Sequence, residues 1–452
     1  MSVTSTETEI KDTFINNLNI NYIMKKILTI LIVLAMVAAV TATVVLFLFP
    51  DQPPETDDSG STQSGIQQVV NANNEFTFDF YSEINKKEGN IFYSPYSISA
   101  ALAMTYEGAK GQTAEEMKSV FHFPESNILR PNFAAIYNNL NKKGKEYKLS
   151  TGNALWAQQD YQFLPEYLSR VEKYYGGKAA NLDFVGESEK SRQTINSFIE
   201  QQTNYKIKDL ISQGVLNAYT RLVLTNAIYF KGTWVKQFDK KYTRDKDFTT
   251  ISGQKVKTPM MQLTGGGAKF NYADLGELQI LELPYKGEDV SMLILLPKQG
   301  KDYDFETREI ITSDYTLDDI ELSSDKLNEY KSQMQETKLD YISIPKFEFD
   351  TKYFMKDTLS VMGMPTAFTD RADFSGMTGK EDLLISFVIH QAYVKVDEEG
   401  TEAAAATAVG GIKLTSVSLR KEFRADHPFI FIIQEKETGN ILFMGRVADP
   451  TK

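Results

Sequence analysis

Apolar and polar positions divide the chain into stretches of different character. Residues 27–49 are almost wholly apolar, broken only by Thr29, Thr41 and Thr43. About twenty such residues span the hydrocarbon core of a bilayer as a helix. From 50 to 65 the chain is built of Asp, Glu, Pro, Ser, Thr, Gln and Gly, too little apolar surface to order itself, and it predicts a flexible linker. From Ile66 onward helical and strand periods alternate, with no second linker and no internal repeat. Helical spacing appears over 71–85, 97–108, 164–175 and 190–202, and Thr113-Ala-Glu-Glu116 reads as a capping-box helix start. Leu222 to Phe230 reads as a buried strand. Leu278 to Leu283 and Ser291 to Leu296 are strands joined through Lys286-Gly-Glu-Asp289. Tyr341–Phe349, Leu384–Val396, Phe429–Ile433 and Ile441–Val447 complete the strand set. Long helices with mixed, mostly antiparallel strands predict one α+β domain over 66–452.

Charge orients the apolar run. Lys25 and Lys26 precede it, and Asp51, Glu55, Asp57 and Asp58 follow. The positive-inside rule then leaves a short tail, 1–24, inside and the domain at the cell surface, with 25–49 as transmembrane anchor. The alternative is a signal segment cleaved after Val40-Thr-Ala42, which would release a secreted domain. Met24 stands directly before the lysines and is an alternative start to Met1. A net charge of -11 and a pI near 5.1 argue against nucleic-acid binding. Cysteine is absent, which removes disulfides, thiol catalysis and thiolate metal sites. His122, His390 and His427 lie too far apart to form a metal motif, so no metal and no cofactor are expected. No Gly-x-Ser-x-Gly elbow occurs, which weighs against a hydrolase. Lys142, Lys143, Lys145 and Lys148 share no helical face and read as solvated surface.

The most informative stretch is Val394-Lys-Val-Asp-Glu-Glu-Gly-Thr-Glu-Ala-Ala-Ala-Ala-Thr407. By propensity alone Thr401–Ala408 is a short surface helix. As a strand, it would turn Thr401, Ala403, Ala405, Thr407 and Val409 to one face. That face carries neither charge nor bulk, so it can enter a packed interior without overpacking it.

From Glu398 to Thr407 this stretch resembles the proximal hinge of the reactive-centre loop of the serpins, residue for residue. Further motifs follow in that family's order: Asn90-Ile-Phe-Tyr-Ser-Pro-Tyr-Ser-Ile-Ser99, Asn226-Ala-Ile-Tyr-Phe-Lys-Gly-Thr-Trp234, Leu281-Glu-Leu-Pro-Tyr285, Pro345-Lys-Phe347, Ala372-Asp-Phe-Ser-Gly376, Asp426-His-Pro-Phe429 and Phe443-Met-Gly-Arg446. The resemblance spans about residue 72 to Pro450. It implies helices around three β-sheets and an exposed loop that can insert into the central sheet. It also implies a shutter of Ser94, Ser97, Asn226 and His390 beneath that sheet, and a breach of Trp234, Lys346 and Glu398 where the loop first enters, with Lys346 paired to Glu398. The hinge is Glu398, Gly400, Thr401, Ala403, Ala405 and Thr407.

The function implied is that of a monomeric suicide-substrate inhibitor of serine proteases, with no catalytic group of its own. The family's usual loop length, counted from Gly400, implies a reactive bond at Leu414-Thr415, which suits a chymotrypsin-like or subtilisin-like protease. A one-residue slip would put Lys413 at the bond and point to a trypsin-like target. A non-inhibitory serpin is the other alternative, although such members usually carry bulky, charged or proline residues in the hinge.

Overall fold

The computed structural model describes residues 55–264, 269–303, 310–401 and 421–452. From the N-terminus the chain forms α1 (Gln63–Ile84), β1 (Ile91–Tyr93), α2 (Pro95–Tyr106), α3 (Gly111–Val120) and α4 (Ser126–Leu140). Next come β2 (Tyr147–Thr151), β3 (Ala154–Gln158), α5 (Pro165–Tyr175), β4 (Lys178–Leu182), α6 (Ser188–Gln202) and the long β5 (Leu222–Thr233). The middle of the chain is β6 (Arg244–Thr249), β7 (Lys255–Thr264), β8 (Lys269–Asp274), β9 (Leu278–Pro284), β10 (Val290–Pro297), β11 (Gln299–Tyr303) and β12 (Ile310–Asp314). Then follow α7 (Ser324–Ser332), β13 (Gln335–Lys338), β14 (Tyr341–Pro345), β15 (Phe347–Phe354), α8 (Lys356–Met362) and α9 (Ser375–Thr378). The last strands are β16 (Ile385–Asp397), β17 (Gly400–Thr401), β18 (Glu422–Arg424), β19 (Phe429–Glu435) and β20 (Ile441–Val447).

Three sheets and a small ribbon result. The central sheet runs β15-β16-β17-β5-β3-β4, with β2 also on β5. A second sheet runs β1-β20-β19-β10-β9-β8-β13, and a third β18-β14-β7-β6, while β11 and β12 pair alone. The strands legible as largely apolar runs, β5, β10, β19 and β20, are buried along all or nearly all of their length. That is the pattern of strands covered on both faces. Phe92 links two of them, stacking on Phe431 and Phe443 at centroid distances of 5.6 and 5.2 Å.

Three local expectations are corrected. Residues 55–62 are not a free tether. Thr56 is buried, its N–H donates to Asn138 Oδ1 (3.0 Å) and its hydroxyl to Ala134 O (3.1 Å), while Asp57 pairs with Lys173 (2.9 Å). Thr62 then caps α1, accepting from the Gly65 N–H, so this helix starts before the expected 71. Short polar side chains look solvated in sequence, yet here they satisfy polar groups of α4. The Thr113–Glu116 capping box does not form, because α3 already begins at Gly111. Thr113 Oγ1 instead accepts from the Asp373 N–H (3.0 Å), and the Glu116 carboxylate takes the Thr366 N–H and hydroxyl (2.9 and 2.7 Å). The single strand expected over 341–349 is two strands in different sheets, with the chain changing sheet at Lys346.

Among the described residues no helix is long and apolar enough to cross a membrane. The apolar run 27–49 lies outside the described residues.

Candidate functional site

Two strands of the central sheet define the site. β5 and β16 are parallel neighbours from Leu222↔Ile385 up to Tyr229↔Tyr393. Above that level they part, and β17 lies between them. Thr401 pairs with Val396 on one side and Gly232 on the other; Gly400 pairs with Asp397 and Thr233. Gly400 has no room for a side chain, since a Cβ there would stand 2.0 Å from the Gly232 carbonyl oxygen.

Beneath the closed part of the seam four polar side chains meet. Ser94 caps α2 by accepting the Ser97 N–H (3.1 Å), and its own hydroxyl donates to Leu442 O (2.6 Å). The Ser94 N–H points at His390 Nε2 (3.1 Å), which leaves Nε2 as acceptor and puts the ring proton on Nδ1, facing Asn226 Oδ1. Asn226 Nδ2 donates to Ser97 O and Oγ (both 2.6 Å) and to Asn153 Oδ1 (2.5 Å). Burial pushes the imidazole down to about 3, so His390 is neutral at any physiological pH. A fully satisfied buried network of this kind holds one arrangement firmly and rearranges only when the strands above it separate.

At the open end of the seam the chain turns through three consecutive carboxylates. Lys346 Nζ donates to Glu398 Oε2 (2.8 Å) and the Thr243 hydroxyl to Oε1 (2.7 Å). Lys240 holds Glu399 Oε1 at 2.5 Å, while Glu399 Oε2 is buried and has no hydrogen-bond partner among the described residues. The Asp397 carboxylate accepts the Glu399 N–H (3.0 Å) and is pushed up by burial. Trp234 Nε1 donates to Asp397 O (3.1 Å), and its ring stacks on Tyr285 at 4.4 Å. The Tyr285 hydroxyl meets Thr401 Oγ1 at 2.6 Å. Sequence reasoning did not find Asn153, Thr243, Lys240 or this role of Tyr285; none stands in a pattern of its own except Tyr285, which closes the Leu281–Tyr285 motif.

Burial pushes the Glu398 carboxyl up, but the Lys346 and Thr243 bonds more than reverse this and leave it below the usual carboxylate range. A depressed acid stabilises the fold above its unfolded value of about 4.3 and ceases to do so as pH falls through the folded value. Melting temperature measured from pH 6 to pH 3 is therefore expected to fall less steeply for Glu398→Gln than for the parent chain. Parallel slopes would show that the pair contributes nothing to acid sensitivity.

The outer face of the seam is crossed by the connector from α6 to β5. Lys206 lies over the Tyr393 ring at 5.5 Å, and Lys352 Nζ reaches Asp209 O at 3.5 Å. Of the residues singled out in sequence, Ser94, Ser97, Asn226 and His390 converge in one cluster, and Trp234, Lys346, Glu398, Gly400 and Thr401 gather in another. Ala403, Ala405, Thr407, Lys413, Leu414 and Thr415 lie outside the described residues. Among the described residues no cluster fit to hold a metal ion is found.

A family model described as serpin (serine protease inhibitor) matches residues 71–450. An uncharacterized serpin-like protein of Methanosarcina mazei is 43% identical over 390 residues, covering 84% of this chain and 87% of the relative. The leukocyte elastase inhibitor of Xenopus tropicalis is 38% identical over 389 residues, with 85% and 100% covered. Among solved structures, uncleaved ovalbumin superposes with a TM-score of 0.73 at 31% identity, again over 85% of this chain and 100% of that one. With the split central sheet, the strand wedged into its open end and these matches along nearly the whole domain, the chain belongs to the serpin family, whose members are mostly protease inhibitors.

Proposed function

We propose that the protein is a suicide-substrate inhibitor of serine proteases, trapped with its target when the segment after Thr401 becomes a strand of the central sheet. The observation that carries this reading is β17 itself: the hinge already pairs with both β16 and β5. Continued downward in the same register, Ala403 falls between Phe230 and Val394, and Ala405 between Ile228 and Ala392. Thr407 falls between Asn226 and His390. Its hydroxyl can donate and accept there, so it suits the place where those two side chains now bond to each other. Insertion exchanges one parallel ladder for two antiparallel ones. About ten added backbone hydrogen bonds at a net 0.5–1.5 kcal/mol each give on the order of 10 kcal/mol of driving force.

The chemistry before insertion belongs to the protease. Its serine oxygen adds to the Leu414 carbonyl carbon, the Leu414–Thr415 bond breaks, and the new amine of Thr415 takes the proton from the protease's histidine. Water must then attack the ester to free the protease. Insertion drags the acylated protease away before that second step, and distorts the groups that would activate the water. This chain supplies position and stored free energy, and no catalytic group.

Leu at the bond supports an apolar primary pocket, hence a chymotrypsin-like or subtilisin-like target. N-terminal sequencing of the released C-terminal fragment is expected to begin at Thr415. A fragment beginning at Leu414 would put the bond after Lys413 and replace the target by a trypsin-like protease. A non-inhibitory role is disfavoured by the small, uncharged inward positions of the hinge. The run 27–49, flanked by Lys26 and Asp51, supports anchoring at the cell surface. Recovery of the whole chain in the soluble medium would contradict that part.

A further inference from the structure

The lysines around residue 145 take different places in the fold. Lys145 is held by Asp289 (2.8 Å), while Lys148 stands on β2 directly opposite Lys231 of β5. Like charges directly opposite on an antiparallel pair repel each other, with Cβ atoms about 5 Å apart. Among the described residues neither lysine has an ion-pair partner. Both lie on the outer face of the central sheet, since their strand neighbours Tyr147, Leu149, Phe230 and Gly232 are buried. Lys231 and Lys395 stand at one level across the seam, each two residues above the last parallel pair, Tyr229↔Tyr393. Lys395 in turn is opposite Glu348 of β15 and paired with it at 3.1 Å. One row across the sheet therefore reads Lys148, Lys231, the seam, Lys395, Glu348. The seam is flanked by positive charge on both sides.

β17 fixes what enters between them. Thr401 already pairs with Gly232 and Val396, so the next residue to add to this antiparallel strand comes to lie between Lys231 and Lys395. That residue is Glu402, and no other charged residue follows it before Lys413. Thr401 faces inward, so its neighbour in a strand faces outward, to the side that carries the lysines. The completed row would alternate in sign from Lys231 through the new carboxylate and Lys395 to Glu348. Packing alone cannot hold this strand in register. A slip of two residues keeps every side chain on its own face and sets Ala405 and Ala406 where Ala403 and Ala404 belong. A single carboxylate between two fixed lysines does distinguish the two registers.

We propose that Lys231 and Lys395 form a slot for the Glu402 carboxylate, which sets the register of the incoming strand and pulls on its first step. The proposal rests on the inhibitor reading above and deepens it, naming two positioning residues outside the hinge. Lys148 adds to the effect from the far side of Lys231. Its repulsion acts in the uncleaved chain and is offset when a carboxylate arrives, so it favours the inserted form.

Charge reversal on either side tests it, with Lys231→Glu, Glu402→Lys and the exchange variant Lys231→Glu/Glu402→Lys. Uncleaved Lys231→Glu should melt no lower than the parent, because Lys148 then faces an acid; this separates the effect from a folding defect. Mixed with chymotrypsin at low salt, each single variant should be cut at the parent's rate. Each should need about fivefold more chains cut for every protease trapped. The exchange variant should recover a good part of that loss, and about 1 M salt should shrink the differences. Single variants that trap as the parent does, or an exchange variant no better than either, would overturn the proposal. Melting of the cleaved chain needs no trapping, and it should be lower in each single variant than in the parent. If the parent is cut and traps nothing while that order of melting holds, the inhibitor reading fails and the slot stands. Equal melting of all the cleaved chains would contradict the slot itself.

Discussion

Thr401→Arg is expected to convert nearly every encounter with a protease from trapping into simple cleavage. Thr401 is 2% exposed, and its hydroxyl meets that of Tyr285 between β16 and β5. An arginine there would have to bury a guanidinium with no carboxylate on its face of the sheet, since the in-register neighbours are Val396 and Gly232. An unpaired buried charge costs several kcal/mol. In the uncleaved chain the hinge can avoid that cost by leaving the seam, so the fold should survive. After cleavage the cost falls on the first step of insertion. If about 4 kcal/mol appears in that barrier, insertion slows by roughly a thousandfold, and hydrolysis of the ester wins. Expected on a denaturing gel is cleaved chain with no stable complex, cut at the same bond. Trapping by the arginine variant at the parent's efficiency would show that Thr401 does not lead the strand inward.

Glu398→Lys has the second largest expected effect, and it acts on the uncleaved form. The substitution removes the acceptor of both Lys346 and Thr243 and sets two ammonium groups where one salt bridge stood. Only the Glu398 end of the pair is buried, Lys346 being 36% exposed, so the loss falls toward or below the lower end of the about 3–5 kcal/mol that breaking a fully buried pair costs. Three further contacts hang on the same turn: the Phe238 N–H to Glu398 O, the Trp234 N–H to Glu399 O, and Trp234 Nε1 to Asp397 O. Their loosening opens the top of the seam. A lower melting temperature and self-association on mild heating are expected, followed by native gel and scattering. The exchange variant Glu398→Lys/Lys346→Glu should recover part of the loss. An unchanged melting temperature in Glu398→Lys would remove the pair from the account.

How much of this was legible in the sequence depended on the physical origin of each signal. β5 could be read because a strand covered on both faces is apolar for most of its length, and β16 because its buried positions run through the middle and then alternate toward Asp397. The hinge could be read because a segment built to enter a packed interior must alternate small side chains. His390 and Asn226 became visible only through the resemblance, since a polar residue in an apolar strand has many structural uses. Asn153 was missed because its role comes from a turn between β2 and β3 that folds back against β5. No local pattern records such a return. The docked segment 55–62 was misread for the same reason: Thr56 is buried by α4, about eighty residues away in the chain. At Lys346 the strand period runs unbroken through a change of sheet, so periodicity alone could not show the division that puts this lysine beside Glu398.

The central claim is that cleavage drives the hinge strand into the seam fast enough to hold the protease. Mixing the protein with a slight excess of chymotrypsin or subtilisin, then boiling in detergent, tests it directly. The account predicts a covalent band at the summed mass, with protease activity lost in proportion. Complete conversion to cleaved chain, with all protease activity retained and no such band, would contradict it.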